Sequence, residues 1–276
     1  MIHILVDSTS DFTNEQLEQN SLSYIPMHIN WNDNEYIDKV TLQTEEFYDL
    51  LEESETFPKT SQPSPQSFVD IFEKIKEDKD EMICILLSSA LSGTYQSACL
   101  AKQIVGYDSI HIVDSKSATA GIRLLVEEAQ KMIGEGYNVV DIVDRIEELK
   151  SRIRIYASVD TLEYLKRGGR ISKAVASIGE IAKVKPLISL NEAGEIEAIS
   201  KSIGFKKVIQ KISEFALDAD PSYPLYSLFT KGNKNLNKLE EKITENQIHI
   251  SDRVQVGPTI GCHIGPEAFG IVFVAR

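Results

Sequence analysis

Hydroxyl-bearing side chains are concentrated in an uncharged stretch that directly follows an apolar run. Residues 82–87 read MICILL, and residues 88–98 read SSALSGTYQSA. In open α/β sheets, ligands bind beyond the carboxyl ends of the strands, and a helix that starts there offers free N–H groups to an anion. We therefore expect Ser92, Gly93 and Thr94 to form an anion-binding turn, with Gly93 allowing close approach to the backbone. The simpler interpretation of Ser92 is a helix N-cap.

A second hydroxyl-rich loop, FPKTSQPSP at 57–65, is stiffened by three prolines. Ser64 and Pro65 are typical of a helix start, with serine as the N-cap and proline at the first helical position. That structural role explains Ser64, but it leaves Thr60 and Ser61 without one. The two hydroxyls are therefore candidate ligand contacts.

A glycine-rich connection between apolar strands, VGPTIGCHIGPEAFG at 256–270, contains His263. Glycines in such number indicate that the backbone approaches another group closely. A functional and a purely structural role for His263 both remain open at this point.

The segment YLKRGGRISKA at 164–174 is a basic patch on an acidic protein. One interpretation is a helix C-cap at Gly168 or Gly169, with cations favoured in the last turn. The other is contact with an anion or a partner protein, made by Lys166, Arg167, Arg170 and Lys173.

Two aspartates close strand-like runs at what should be one edge of a sheet. Asp7 ends IHILVD, and Asp114 ends SIHIVD. We expect these carboxylates to serve as helix caps; the alternative is that they form walls of a site.

The elements that must position these residues are short apolar runs alternating with helix-period segments, a pattern typical of parallel strands joined by crossover helices. After about residue 155 the pattern changes, and two strand-like segments flank an N-E-A-G turn. We predict an α/β fold with two domains. Residues 1–155 form a three-layer α/β/α domain with a parallel sheet, residues 156–276 form a two-layer α/β domain with a mixed sheet, and a ligand lies between them.

Composition narrows the functional classes. The 276 residues carry a formal charge of −13, which argues against nucleic acid as a partner. Three cysteines without metal-ligand or disulfide spacing favour a reducing cytoplasm and no metal site. The start MIHILVDSTSD does not look like a signal sequence, and the uncharged stretch at 82–101 is split by its hydroxyls and Gly93, which argues against a membrane span.

Seven motifs, taken in order along nearly the whole chain, strongly resemble the DegV family. Each is weak alone, but their order makes chance similarity improbable. They are VDSTSD at 6–11, KTSQPSP at 59–65, SSALSGTYQSA at 88–98, IVDSKSATAG at 112–121, LEYLKRGGRI at 162–171, KPLI at 185–188 and GCHIGPEAFG at 261–270.

The resemblance implies a non-enzymatic, lipid-binding subunit of a two-component bacterial fatty acid kinase. Such a protein holds a long-chain fatty acid, of the palmitate or oleate class, in a tunnel. It presents the carboxyl group to a separate ATP-binding kinase subunit that forms the acyl phosphate. The resemblance also implies a cytoplasmic role in phospholipid metabolism with transient membrane contact, and no cofactor beyond the bound lipid.

The family pattern also assigns residues. The carboxylate-binding hydroxyls and histidine match Thr60, Ser61, Ser92 and His263, and the arginine near the pocket matches Arg170. Arg167 and Lys173 remain candidate contacts with the partner. One departure is Glu267, where many members have glycine; its carboxylate, beside the head-group loop, is expected to alter access to the site or docking of the partner.

Two other functions remain open. A serine hydrolase could use Ser92 as nucleophile and His263 as base, oriented by Asp7 or Asp114, although A-L-S-G-T is not the G-x-S-x-G elbow of many hydrolases. The wider fold relationship to dihydroxyacetone kinases suggests covalent capture of a small ketone by the histidine, which would require a small polar pocket.

Overall fold

The computed structural model describes residues 1–171, 184–232 and 234–276. The strands are β1 (Ile2–Asp7), β2 (Ser23–Ile25), β3 (His28–Trp31), β4 (Asn34–Ile37), β5 (Lys59–Ser61), β6 (Glu81–Leu86), β7 (Ile110–Asp114), β8 (Ile153–Ser158), β9 (Val184–Leu190), β10 (Ile196–Ile203), β11 (Tyr226–Phe229), β12 (Asp252–Gln255) and β13 (Phe269–Val274). The helices are α1 (Asn14–Gln19), α2 (Thr44–Glu53), α3 (Pro65–Asp78), α4 (Thr94–Val105), α5 (Ala120–Gly134), α6 (Val139–Lys150), α7 (Glu163–Gly168), α8 (Phe205–Phe215), α9 (Lys234–Glu245) and α10 (Pro258–Ile264).

The N-terminal part is the predicted three-layer arrangement. Its sheet has the order β2-β1-β6-β7, and every pairing is parallel. Successive strand residues point to opposite faces. Met82 and Cys84 accordingly pack with α3 and α4, whereas Ile83 and Ile85 pack with α5 and α6. Both faces of the sheet are therefore buried, which explains why its strands read as continuous apolar runs.

The C-terminal part is built on a mixed sheet of order β10-β9-β8-β13-β11-β12. β11 and β12 are parallel, and the other neighbours are antiparallel. Helices α8 and α9 cover one face, and α5 packs near the opposite face. The N-E-A-G turn joins β9 and β10, which confirms the predicted hairpin. The predicted domain boundary at 155/156 lies inside β8.

A small antiparallel sheet of order β4-β3-β5 was not anticipated from the sequence. Its strands have three or four residues each, too few for a periodic signal. Ile29 and Trp31 of β3 pack with Phe47 and Tyr48 of α2 and with Cys262 of α10. This sheet therefore links the loop that carries Thr60 to the helix that carries His263.

Several local predictions are confirmed. Ser64 caps α3 with Pro65 in its first turn. Gly169, with φ of 69°, is the C-cap of α7. Asp7 is the N-cap of a short 3-10 helix, Ser8–Ser10, and accepts a hydrogen bond from the Thr9 N–H, as predicted. The helix-cap prediction is wrong for Asp114, because the N-cap of the next helix, α5, is Thr119; Asp114 instead accepts hydrogen bonds from the Ser89 and Lys116 N–H groups.

The glycine-rich connection is a helix, not the expected loop. Pro258 lies in its first turn, where a missing N–H is tolerated. Two buried carboxylates accept hydrogen bonds from its first N–H groups, Asp11 from Gly257 and Asp38 from Thr259. Gly261 allows close packing, since a Cβ there would lie 2.6 Å from the Tyr48 hydroxyl. His263 therefore lies in the last turn of α10.

Candidate functional site

A cavity lies between the N-terminal parallel sheet and the C-terminal mixed sheet. Its empty space, counted together with the solvent at its mouth, is about 870 Å³. Most of the side chains that line it are apolar, and one wall comes from the mixed sheet: Ile155, Ala157, Ile188, Leu190, Ile196, Leu228, Phe229 and Phe269. A mostly apolar lining is typical of sites for small organic ligands.

Polar side chains from separate elements meet at this cavity. Thr60 of β5, Ser92 before α4, His263 of α10 and Arg170 after α7 all line it. Thr60 Oγ1 lies 2.8 Å from His263 Nε2, although the residues are 203 positions apart in the chain. The structure therefore brings together four of the residues that the sequence singled out.

His263 is held as a neutral ring. Its exposed fraction is 9%, and burial, together with the nearby Arg170 charge, lowers its pKa to about 4. Nε2 bonds to Thr60, whereas buried Nδ1 meets no hydrogen-bond partner among the described residues. An incoming anion would favour the charged imidazolium, because opposite charges stabilise each other at low dielectric.

The low pKa of His263 predicts acid sensitivity. A folded pKa of about 4, against 6.5 for the ordinary group, means that stability is fully present above pH 6.5 and is lost as pH falls through 4. We expect the free energy of unfolding of the wild type to decrease, relative to His263→Gln, by about 3 kcal/mol over that range. Urea unfolding of both proteins at pH 7 and pH 4 measures this. An unchanged difference between them would mean that the ring is not held neutral.

Arg170 connects two parts of the polar cluster. Its Nε donates to the Leu91 carbonyl at 3.1 Å, and Nη1 donates to the Gly168 carbonyl at 2.6 Å. The guanidinium therefore joins the loop before Ser92 to the end of α7, and its charge lies at the cavity wall.

Gly168 packs directly against the imidazole of His263. A Cβ added at Gly168 would lie 2.1 Å from His263 Nδ1 and 2.8 Å from Cε1, both far inside contact distance. From its position in the sequence, Gly168 was predicted only as a candidate C-cap, and the C-cap is Gly169.

Gly168→Ala should therefore displace the His263 ring and break its bond to Thr60. Because alanine suits a helix better than glycine, backbone strain is not expected. We expect affinity for the fatty acid that the sequence resemblance implies to fall by about tenfold, the effect of losing one hydrogen bond to a charged group. Calorimetric titration with palmitate measures this, and Gly134→Ala, at a position where a Cβ meets nothing within 4 Å, is the control. Equal affinities for both variants would contradict the positioning role.

Of the three residues Ser92, Gly93 and Thr94, Ser92 alone lines the cavity. Ser92 Oγ lies 2.9 Å from Thr94 Oγ1, and the Thr94 hydroxyl donates to Met27 Sδ at 3.4 Å. Thr94 is fully buried and, with Gly93, is not among the residues that line the cavity. Gly93, not Ser92, is the N-cap of α4, and it packs against Gln62, since a Cβ there would lie 2.1 Å from Gln62 Oε1. Thr94 contacts the Ser92 hydroxyl from outside the cavity lining.

The remaining candidates lie outside the cavity wall. Ser61 is exposed, since it alternates with Thr60 along β5. Arg167 is exposed, pairs with Glu163 and lies over the Phe57 ring. Glu267 is exposed in the turn after α10. Lys173 lies outside the described residues.

Buried charged residues behind the cavity were missed by sequence reasoning. Asp38 Oδ2 accepts the Thr259 hydroxyl at 2.5 Å, and Asp11 Oδ1 accepts the Gly257 N–H at 2.9 Å. Lys39 Nζ lies 3.4 Å from Asp11. Burial raises the pKa of Asp11 to about 6 and also raises that of Asp38. The carboxylates fix the start of α10 and, through it, the position of His263.

The hydrolase arrangement is not assembled. Ser92 bonds to Thr94 and His263 bonds to Thr60, and the described contacts join neither side chain to the other. Asp7 bonds to Thr9 and Leu87 and makes no described contact with His263. The arrangement instead offers hydroxyl and imidazole groups to an oxyanion at one end of an apolar space, which suits an amphipathic anion.

Comparison with known proteins identifies the family of the chain. The family model described as an uncharacterised protein of the DegV family matches residues 1–276. The chain belongs to the DegV family. It is 37% identical over 276 residues to a DegV domain-containing protein of Caldanaerobacter subterraneus, covering 99% of this chain and 98% of that protein.

Solved structures of DegV proteins share the fold. The fatty-acid-binding DegV family protein of Thermus thermophilus is 28% identical with a TM-score of 0.88, covering 100% of this chain and 99% of that one. DegV of Bacillus subtilis, described as a fatty-acid-binding protein, is 30% identical with a TM-score of 0.87 and the same coverage. The predicted fold class and family are confirmed.

Across residues 1–171, 184–232 and 234–276, no helix combines the length and apolarity needed to cross a bilayer. The same residues contain no group of three or more His, Cys, Asp or Glu side chains placed to hold a metal ion.

Proposed function

We propose that this DegV protein binds one long-chain fatty acid in the cavity, with the carboxylate at Thr60, Ser92 and His263 and the tail against the mixed sheet. The observation that carries the proposal is the union of these three polar groups with an apolar wall in a single cavity. The fatty-acid-binding relatives from Thermus thermophilus and Bacillus subtilis support it.

The energetics assign separate roles to the two ends of the ligand. Burial contributes roughly 0.8 kcal/mol per methylene, so a C16 tail contributes on the order of 10 kcal/mol. A hydrogen bond to a charged group contributes about 1.5 to 3 kcal/mol. The tail therefore sets affinity, and the head-group side chains set orientation. Gly93 and Thr94 act through Ser92, and Ser61 lies at the edge of the site.

We propose further that a separate ATP-binding kinase subunit receives the oriented carboxyl group and forms an acyl phosphate, as a step of bacterial phospholipid metabolism in the cytoplasm. The sequence has no G-x-x-x-x-G-K loop for nucleotide phosphates, which supports a separate kinase. The cations for contact with the partner, or for transient contact with a membrane, are the exposed Arg167, Arg170 at the cavity wall, and Lys173.

Titration with palmitate and with methyl palmitate tests the binding proposal. The ester has the same tail, but it carries no charge for the donors at Thr60, Ser92 and His263. We expect palmitate to bind at least about tenfold more tightly, from one or more charge-assisted hydrogen bonds. Equal affinity for acid and ester would contradict the proposed head-group site, and binding of neither would contradict fatty acid binding.

A further inference from the structure

The hydroxyl groups on the cavity wall differ in whether they have a hydrogen-bond partner. Five side chains there carry a hydroxyl: Thr60, Ser92, Thr119, Ser189 and Thr259. Four of them have hydrogen-bond partners in the structure. Thr60 bonds to His263, Ser92 to Thr94, Thr259 to Asp38 at 2.5 Å, and Ser189 to the Leu190 carbonyl at 3.4 Å.

Thr119 is the exception. Its exposed fraction is 5%, and its Oγ1 meets no hydrogen-bond partner among the described residues. It is the N-cap of the 15-residue helix α5, yet its hydroxyl does not cap that helix. A buried hydroxyl without a partner is costly, because it has lost its hydrogen bonds to water.

The backbone of Thr119 is also strained. Its φ is 52° and its ψ is −136°, a conformation that glycine adopts readily and a β-branched residue rarely does. The Thr119 N–H donates to the Thr9 carbonyl at 2.8 Å, which ties the strained residue to the segment after β1. Backbone strain of this kind is concentrated at ligand-binding positions. Glycine would relieve the strain here, but it would remove the hydroxyl from the cavity.

Thr119 lies outside the cluster that is proposed to hold the carboxylate. That cluster is connected by contacts between Thr60 and His263, between His263 and Gly168, and through Arg170 to Leu91. Thr119 takes part in none of these contacts. The cavity therefore has a second polar point on its wall, carried by a different element of the fold.

We propose that this second polar point selects acyl chains that carry an oxygen substituent, a hydroxyl or keto group, which accepts a hydrogen bond from the Thr119 hydroxyl. The proposal rests on fatty acid binding in this cavity. A plain acyl chain places methylenes against the Thr119 hydroxyl and leaves it unpaired, whereas an oxygenated chain satisfies it. The protein should therefore distinguish a hydroxy fatty acid from its plain counterpart.

This proposal is tested by measuring how the wild type and a Thr119 variant bind stearate and its hydroxylated counterparts. Affinities of wild type and Thr119→Val are measured by calorimetry for stearate and for 3-, 10- and 12-hydroxystearate. We expect the wild type to bind one positional isomer about fivefold to tenfold more tightly than stearate, the effect of one neutral hydrogen bond. Thr119→Val keeps the shape and loses the hydroxyl, so the preference should disappear while stearate affinity stays within about twofold.

A second hydroxyl-free variant ensures that the test does not depend on Thr119→Val alone. Thr119→Gly also lacks the hydroxyl, and it relieves the backbone strain, so we expect it to fold with a raised Tm and without the preference. Thr119→Ser should retain the preference.

The outcomes that would contradict this inference differ from the outcome that would contradict fatty acid binding. If the wild type binds stearate and prefers no hydroxystearate isomer, or if both hydroxyl-free variants keep the preference, this inference is wrong and fatty acid binding stands. If Thr119→Val weakens stearate binding as much as Ser92→Ala does, the carboxylate lies at Thr119 and the inference is also overturned. If the wild type binds none of the four acids, the proposed function itself fails.

Discussion

Ala157→Phe should weaken palmitate binding by about a hundredfold. Ala157 of β8 lines the cavity, and the residue opposite it on β13 is Gly270, so the sheet presents little side-chain volume there. A phenyl ring at this position would occupy the space of about four methylenes of the ligand. At roughly 0.8 kcal/mol for each methylene, the lost burial amounts to about 3 kcal/mol. Calorimetric titration with palmitate measures the change.

The matched control is Ala193→Phe, because Ala193 is exposed in the N-E-A-G turn. It should leave palmitate affinity unchanged, and both variants should unfold cooperatively. Octanoate separates the two ends of the ligand further: its shorter tail should lose less affinity in Ala157→Phe than palmitate loses. Undiminished palmitate binding by a folded Ala157→Phe protein would show that the tail does not pass along β8.

Ser92→Ala and His263→Ala should each reduce acyl phosphate formation by about a hundredfold or more. Each substitution removes one group that orients the carboxyl, and misplacement of a reacting group by about 1 Å costs on the order of a hundredfold in rate. Palmitate affinity should fall by only about tenfold, because the tail supplies most of the binding energy. Hydroxamate trapping with ATP and the kinase subunit measures the rate, and calorimetry measures the affinity.

Suitable controls are Ser251→Ala and His249→Ala, which alter the same residue types at exposed positions. Neither should change the rate or the affinity. The division of roles between head group and tail is refuted if Ser92→Ala and His263→Ala stay folded but lose palmitate completely, because the tail would then contribute little.

The sequence was sufficient to predict which loops meet at the cavity. Ser92 follows an apolar strand, and strand periodicity alone places the end of β6 at the ligand-binding edge of a parallel sheet. The seven motifs then linked Ser92 to Thr60 and His263, and the structure brings Thr60 to within 2.8 Å of His263.

The orientation of neighbouring side chains was not predictable. Thr60 faces the cavity and Ser61 faces solvent, because β5 pairs with β3 in a register that sets Thr60 against Ile29. A shift of one residue would exchange the two hydroxyls, and three-residue strands carry no periodic signal of register. Register of this kind is decided by tertiary packing.

The burial of these carboxylates likewise could not be predicted from the sequence pattern. Asp38 and Lys39 read as an exposed charged pair between apolar residues, yet both are buried, and Asp38 binds Thr259, more than 200 positions away. Charged residues are seldom fully buried unless they are paired, so their default assignment is the surface. Only the packing of β3 and α2 against α10 shows that these carboxylates hold the helix of His263.

The most direct test of the central claim is mass spectrometry of the ligand carried by the purified protein. Native spectra of the full chain, made in a bacterial host, should show one adduct per chain with the mass of a long-chain fatty acid. Solvent extraction should release that acid. The claim is contradicted if the protein is ligand-free and fails to take up palmitate or oleate on incubation. A bound sugar or small ketone in place of a lipid would contradict it equally.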